Sequence, residues 1–257
     1  MMRLEHLYAG YGGRDCLFDV SCAFARGEIT GLIGPNGSGK STLIKAAACQ
    51  FPVSGGALFL EGVRLERPDP REIARRIAYM PQMRGAPSIT VRQLAAHGRY
   101  PHLGFGRALS KADWEAVDRA MEAARVTAFA RRPVNTLSGG ERQRAYLSML
   151  LAQDAPLIML DEPTAFLDIG HQFELMELLS AMKALGKTVV VALHELPLAL
   201  TYCDRLLVLS EGRSVRFAAP KQVSDSLESV FGVRVHKGPG GCYAMEMRCD
   251  KAQRFQR

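Results

Sequence analysis

The sequence predicts an α/β fold built on a parallel core sheet, and three observations predict it. Short apolar runs of strand length alternate with helical stretches. A glycine-rich loop at residues 34–42 follows one such run and opens a helix. A second run, residues 157–160, ends on two successive carboxylates, Asp161 and Glu162.

Residues 17–24 (Leu-Phe-Asp-Val-Ser-Cys-Ala-Phe) form a first strand. Residues 28–33 form a strand running into a glycine turn, and residues 40–49 have helical composition. Residues 157–160 are apolar throughout, which suits a central parallel strand buried on both faces. Residues 188–193 read the same way and are followed by a strand at 206–209. From about 85 to 155 the chain changes character, with helices and loops but little strand. Trp114, Val117, Met121 and Ala124 recur at helical spacing, the simplest reading of which is core packing. Residues 99–109 carry Gly and Pro and read as a connector, while residues 141–153 read as a helix. There are no internal repeats, low-complexity tracts or sustained heptads.

Composition bounds the function. The 257 residues suit one domain or two intimate subdomains, and 47% hydrophobic content provides a sizeable core. No apolar run approaches the roughly 18–20 residues needed to cross a bilayer. The start, Met1-Met2-Arg3-Leu4-Glu5, carries no apolar signal segment, so the expected place is the cytosol, or a membrane reached through a partner. The net charge of +7 would suit nucleic acid, acidic lipid or nucleotide, and equally a solvated basic surface. Basic residues crowd the end at Arg248, Lys251, Arg254 and Arg257, without the interleaved aromatics that bind single strands, so a frayed tail is expected there. The six cysteines, Cys16, Cys22, Cys49, Cys203, Cys242 and Cys249, include no Cys-x-x-Cys pair and are expected as free thiols.

The loop Gly34, Pro35, Asn36, Gly37, Ser38, Gly39, Lys40, Ser41, Thr42 is a phosphate loop. Its backbone N–H groups close around phosphates at a helix N-terminus. Lys40 reaches the β- and γ-phosphates, Ser41 ligates Mg²⁺, and Thr42 faces the α-phosphate region. Asp161 suits the Mg²⁺ coordination sphere and Glu162 the polarisation of an attacking water; Pro163-Thr164 turns the chain straight after them. Ser138, Gly139 and Gly140 precede a helix and expose a second N-terminus suited to an anion. One chain does not need two such sites for one nucleotide. The economical arrangement has this loop reach the ATP of a partner copy, the alternative being a plain helix N-cap. His194 follows the strand at 189–193 and is a candidate for a γ-phosphate or water contact, or a packing residue. Gln82 sits where the core gives way to the helical segment; its amide is a candidate metal ligand and nucleotide reporter, or an ordinary polar loop residue. Tyr11 is a candidate to stack on adenine, with Tyr8 as its competitor and core packing as the alternative for either.

In this order the motifs resemble those of the ATPase subunits of ATP-binding-cassette (ABC) transporters, over roughly residues 2–235. Tyr11 matches the A-loop aromatic, residues 34–42 the Walker A, and Gln82 the Q-loop. Residues 137–141 (Leu-Ser-Gly-Gly-Glu) match the signature, 157–162 the Walker B, 165–168 with Asp168 the D-loop, and His194 the H-loop. Two details depart from the pattern: Glu195 stands where Asp is common, and Phe166 where a polar or small residue is. The resemblance implies a P-loop NTPase (ABC ATPase) core at 1–84 and 156–257, an antiparallel β subdomain, and a helical signature subdomain inserted at 85–155. It implies ATP and Mg²⁺, with Glu162, His194 and Lys40 as catalytic residues.

Residues 98–102 (Gly-Arg-Tyr-Pro-His), 167–172 (Leu-Asp-Ile-Gly-His-Gln) and 229–233 (Ser-Val-Phe-Gly-Val) are similar to the ATPases of iron–siderophore, haem and vitamin B12 importers. That likeness implies a homodimer closing on two ATP·Mg²⁺ beneath two transmembrane permease subunits. A substrate-binding protein would feed them, and the chain would lie at the cytoplasmic face of the inner membrane. The core motifs do not encode direction, so an exporter ATPase is the near alternative. A nucleic-acid-associated ABC ATPase is the distant one: the long coiled coil of the repair members and the second cassette of the translation members are both missing, and no nucleic-acid partner is expected.

Overall fold

The computed structural model describes residues 1–82, 85–104, 106–165, 167–238 and 243–247. Phe166, Cys242, Cys249 and the basic tail Arg248, Lys251, Arg254 and Arg257 lie outside the described residues. The described residues form a four-stranded sheet, a six-stranded sheet, a two-stranded hairpin and the helices that pack on them.

The first sheet is antiparallel, in the order β2-β1-β4-β5, from β1 (Met2–Tyr11), β2 (Arg14–Phe24), β4 (Gly55–Leu60) and β5 (Val63–Arg64). The second has the order β10-β9-β3-β8-β7-β6. Its parallel members are β3 (Ile29–Ile33), β6 (Ile77–Met80), β7 (Leu157–Leu160), β8 (Thr188–Ala192) and β9 (Arg205–Ser210), and β10 (Arg213–Ala218) returns antiparallel on the edge. The strand read at residues 157–160 is therefore flanked by parallel neighbours on both sides. A hairpin of β11 (Val233–Lys237) and β12 (Tyr243–Met247) follows near the end.

The pleat of the second sheet separates two cores. Leu32, Met159, Val190 and Leu207 pack with helix α1 (Lys40–Ala47) and the antiparallel sheet. Ile33, Ile158, Val191 and Val208 pack on the opposite face with α6 (Ile169–Ala184) and α7 (Leu196–Tyr202). Successive side chains of a strand point to opposite faces, so runs that are apolar throughout serve both cores at once. The antiparallel sheet, which only the family resemblance implied, is present. Its first strand has period-two burial at Met2 and Leu4, then at Leu7 and Ala9. The slip lies at His6, whose φ of 48° marks a bulge opposite Asp19 (φ 56°), and the two side chains meet at 2.6 Å.

The middle of the chain has its own core. Helices α3 (Val91–His97), α4 (Lys111–Ala123) and α5 (Gly139–Gln153) bury Val91, Leu94, Val117, Met121, Val134 and Ala145 together. Ala124 is also buried there, while Trp114 packs from the side, as its helical spacing predicts. Helix α5 is shared: Leu147 and Leu150 belong to the core under the parallel sheet.

The Gly98–His102 segment proves to be a clamp on the end of α5. Arg99 donates to the carbonyl of Ala152 at 2.9 Å, and the His102 ring meets that of Gln153 at 2.8 Å, so basic side chains satisfy last-turn carbonyls. Arg99 also pairs with Asp113 at 3.0 Å in a largely buried position. Short α2 (Pro70–Arg76) joins this clamp through Arg75, which donates to the carbonyl of Pro101.

Asp113 also closes the capping box of α4 with Ser110. Hydrogen bonds from the Ser110 hydroxyl and backbone N–H, then the Arg99 guanidinium, hold its carboxyl down from 3.8 to about 2. A depressed carboxyl contributes stability that is complete above its unfolded pKa and lost as pH falls through the folded one. Asp113→Asn should therefore lower stability at neutral pH by about 1 kcal/mol, the scale of a lost cap. It should also flatten the loss between pH 3.8 and 2, as thermal melts across that range would read.

Candidate active site

The pleat also decides what reaches the carboxyl edge of the parallel sheet. On β7, Leu157 and Met159 face α1, so the next residue in that period, Asp161, lies on the α1 side. On β8, Val190 and Ala192 do the same and His194 follows. Glu162 would turn away, but its φ of 51° bends the chain at the strand end. The carboxylate is brought back to the same edge, where Gln82 donates to its Oε2 at 2.8 Å and His194 Nε2 lies 2.6 Å from its Oε1. A non-glycine residue held in this region is a local strain of the kind found at functional sites.

Asp161 is 2% exposed and accepts a hydrogen bond from Ser41 Oγ at 2.8 Å. Burial pushes its carboxyl above the usual range and the Glu162 charge adds to this; the Ser41 hydroxyl, Lys45 and Lys40 oppose it. Lys40 is buried within its own loop, donating to the carbonyls of Gly34 at 2.7 Å and Pro35 at 3.1 Å. Burial lowers its pKa, against the pull of Glu162 and Asp161.

The loop between β3 and α1 needs its glycines for two separate reasons. Gly39 takes φ 100°, a left-handed turn into the helix. At Gly34 there is no room: a Cβ would lie 2.3 Å from the Leu209 carbonyl oxygen and 2.4 Å from Ser38 Oγ. That Ser38 hydroxyl is buried without a protein partner, so a phosphate oxygen arriving in the loop would satisfy it. Pro35, Asn36 and Gly37 are exposed at the loop's crest. Thr42 Oγ1 lies 3.6 Å from Cys16 Sγ, tying the loop to β2. Of the two tyrosines, Tyr8 pairs with Gly55 inside the antiparallel sheet. Tyr11 ends β1, is half-exposed, and packs tilted on Phe51 with ring centroids 4.4 Å apart. It is the more exposed of the two.

The signature run lies at the start of α5. Ser138 is its N-cap, and a capping box joins it to Glu141: the Ser138 hydroxyl accepts from Glu141 N–H and the Glu141 carboxylate from Ser138 N–H. Gly139 is exposed and Gly140 buried. Among the described residues, no hydrogen bond or ion pair joins residues 137–141 to residues 34–42. Asp168 is the N-cap of α6, held below the usual carboxylate range by the backbone N–H and ring of His171.

Several contributors were not read from the sequence. Gln143 on α5 points its amide at Met80 Sδ, 4.0 Å away, and lines a cavity of about 20 Å³ with Asp161 and Glu162. Glu195 accepts from Thr164 Oγ1 at 2.8 Å and from Gln172 Nε2 at 3.4 Å, joining the residue after His194 to the turn after Glu162. The departure at Glu195 is thus accommodated by a hydrogen-bond network. Cys16, Cys22, Cys49 and Cys203 are free thiols, and burial pushes Cys22 and Cys203 to about 12.

Residues 17–165 match the family described as ABC transporter. The chain is 40% identical over 237 residues to the ferric enterobactin transport ATP-binding protein FepC of Escherichia coli (strain K12), covering 91% of this chain and 88% of that one. It is 40% identical over 231 residues to the cobalamin import ATP-binding protein BtuD of Halobacterium salinarum (strain ATCC 29341 / DSM 671 / R1), covering 88% of this chain and 57% of that one. The dimeric structure of MJ0796, a bacterial ABC transporter cassette, superposes with a TM-score of 0.75 at 26% identity, over 86% of this chain and 99% of that one. This chain belongs to the ABC transporter family. As an ABC cassette it binds ATP and is an ATPase.

Within the ABC cassette the donors near Asp161 fit a hard divalent cation. A serine hydroxyl already touches a buried carboxylate whose charge burial disfavours, and the glutamine amide lies one residue along at Glu162. Oxygen donors of this kind suit Mg²⁺. Lys40 is the buried cation among the phosphate-loop side chains. Lys40→Ala should abolish the rise in thermal stability that ATP confers by mass action on the folded state. Thermal melts of the purified chain with and without ATP read this directly; an undiminished rise would contradict the assigned loop.

Proposed function

We propose that this ABC cassette is the ATP-hydrolysing subunit of an importer for a metal chelate of the iron–siderophore or cobalamin type. The observation that carries the reading is the 40% identity, over 91% of this chain, with FepC, a ferric enterobactin transport ATP-binding protein. On this reading the phosphates of ATP lie against the backbone N–H groups of residues 34–42. Lys40 exchanges its loop carbonyls for the more strongly accepting β- and γ-phosphate oxygens, and Tyr11 stacks on adenine. Ser41, Asp161 and Gln82 hold Mg²⁺, which when bound offsets negative charge on the phosphate oxygens. Glu162 orients the attacking water and takes its proton. The water oxygen bonds to the γ-phosphorus as the bond to the bridging oxygen of ADP breaks. His194 fixes the Glu162 carboxylate and faces the γ-phosphate.

Ser138, Gly139 and Gly140 meet the ATP of a second copy, with Asp168 at the same seam, so two chains close on two nucleotides. Two membrane-spanning permease subunits take up that motion, a substrate-binding protein delivers the chelate, and the cassette sits peripherally on the cytoplasmic face. The helical unit around 85–155 is the docking side. Arg92, an exposed candidate there, is already engaged: it pairs with Asp118 and lies over the Trp114 ring. Arg107 is exposed in the same region, has no side-chain ion pair or hydrogen bond among the described residues, and is the better probe of docking.

Glu162→Gln should keep ATP binding while hydrolysis falls by roughly 10²–10⁴-fold, the scale of a lost general base. In membrane vesicles bearing the permease and loaded binding protein, the wild-type chain should drive ATP-dependent accumulation of a ferric siderophore or cobalamin, and Glu162→Gln should not. ATP-driven loss of preloaded chelate would make the system an exporter.

The shared site predicts complementation. Mixing Ser138→Arg chains with Lys40→Ala chains places both defects at one composite site and leaves the other whole. ATPase activity in the mixture should exceed that of either variant alone. Absence of recovery in demonstrated heterodimers would reject the shared site.

A further inference from the structure

We propose that His171 is a positioning residue of the ATPase cycle, fixing the signature loop to the turn at Asp168 within one chain so that both approach the partner's nucleotide as one unit. The proposal rests on the composite-site reading above.

The signature needs such a support. Gly139 and Gly140 have no side chains with which to fix their backbone, and two glycines in succession are conformationally permissive. Anion binding by the first N–H groups of α5 requires that backbone to be held to well under an ångström or so. The capping box of Ser138 and Glu141 anchors it from one side. From the other side comes the imidazole of His171, in the first turn of α6. A Cβ on Gly140 would lie 2.3 Å from its Cδ2 and 2.7 Å from its Nε2, so the ring edge occupies the space that any side chain at 140 would take.

The ring is itself held in place. Asp168 accepts the His171 backbone N–H at 2.9 Å through Oδ1 and meets Nδ1 at 2.7 Å through Oδ2. Arg144 on α5 and Glu174 on α6 form a second tie across the seam at 2.7 Å. The turn that carries Asp168 is in turn fastened to the reacting groups. Gln172 donates to the Leu167 carbonyl at 3.1 Å and reaches Glu195, which also accepts from Thr164 two residues after Glu162. A path of contacts thus runs from the carboxylate edge through Thr164, Glu195, Gln172 and His171 to Gly140, and the imidazole makes its last contact.

His171→Ala should lower kcat by about tenfold or more, the scale of one lost hydrogen bond to a charged group. The KM for ATP and the ATP-dependent thermal stabilisation should remain unchanged. His171→Asn, whose amide can still donate to Asp168, should recover part of the lost kcat. The deciding arm is a mixture of His171→Ala with Lys40→Ala chains, run beside the Ser138→Arg and Lys40→Ala mixture. Both mixtures should regain activity, because a defect in the signature half and one in the phosphate loop fall at the same composite site. Recovery in the Ser138 mixture alone would place the effect of His171 in its own chain's nucleotide half, overturning this proposal and leaving the shared site standing. Recovery in neither would reject the shared site and this proposal with it. Unaltered kcat in His171→Ala would overturn the proposal outright. So would equal losses of kcat in the Ala and Asn variants together with a lower melting temperature without ATP, since a role in folding alone would produce that pattern.

Discussion

Two carboxylates on successive residues at the end of a buried strand set the terms for much of this molecule. Burial disfavours the charge on Asp161, and the neighbouring charge of Glu162 disfavours it further. Carboxylates so placed remain ionised only with donors and cations close by. The donors and cations arrive from three directions: Ser41 and Lys40 from the helix start after β3, Gln82 from the end of β6, and His194 from the end of β8. These strand ends and that of β7 lie along the carboxyl edge of the parallel sheet, where such folds bind ligands. The arrangement that makes the carboxylates tolerable is also the one that suits a polyphosphate and its cation.

What could be read from sequence divides along physical lines. Strands β3, β7, β8 and β9 were legible because a strand buried on both faces must be apolar throughout. The reacting groups were legible because they sit at fixed offsets from those strands. Strand β1 was not assigned, since the bulge at His6 shifts its buried face from even to odd positions and spoils the period. β6, α2, α7 and the elements after β9 were not assigned; α2 and α7 span seven residues each, too few for a helical period to emerge. The end of α1 was overrun by two residues, because Cys49 turns left-handed while its composition stays helical. The difference in exposure between Tyr8 and Tyr11 follows from tertiary packing, Tyr8 against Gly55 and Tyr11 against Phe51, which no local pattern contains.

The polar network was the least legible part. Gln143, Thr164, Gln172 and Glu195 are ordinary residues for a solvated helix face or turn, and a side chain facing a seam reads the same as one facing water. The Gly98–His102 segment shows the converse. It stands out in the sequence and carries a family likeness, yet Arg99 and His102 are occupied in capping α5 and anchoring α4. A distinctive motif can therefore mark a joint between elements, and here the joint braces the far end of the helix that carries the signature at its start.

That helix connects the two cores, and its role follows from how its ends are held. At its C-terminus, Arg99 and His102 bind it to the segment after α3, while Gln153 donates to the carbonyls of Ala74 and Ile77 on the sheet side. Along its middle, Ala145 serves the helical core, and Leu147 and Leu150 the sheet core. At its N-terminus the Ser138 hydroxyl accepts from Glu141 N–H and keeps its own O–H to donate, so the signature can offer a ligand that hydroxyl, backbone N–H groups and the positive end of a helix. Among the described residues, none of these reaches the phosphate loop of the same chain by a hydrogen bond. A helix so firmly seated along its length, with its start braced by His171 of α6 rather than by the phosphate loop, fits the composite site proposed above. On the proposed composite site, the stiffness of α5 would carry closure on a nucleotide at one end to the helical unit beside it.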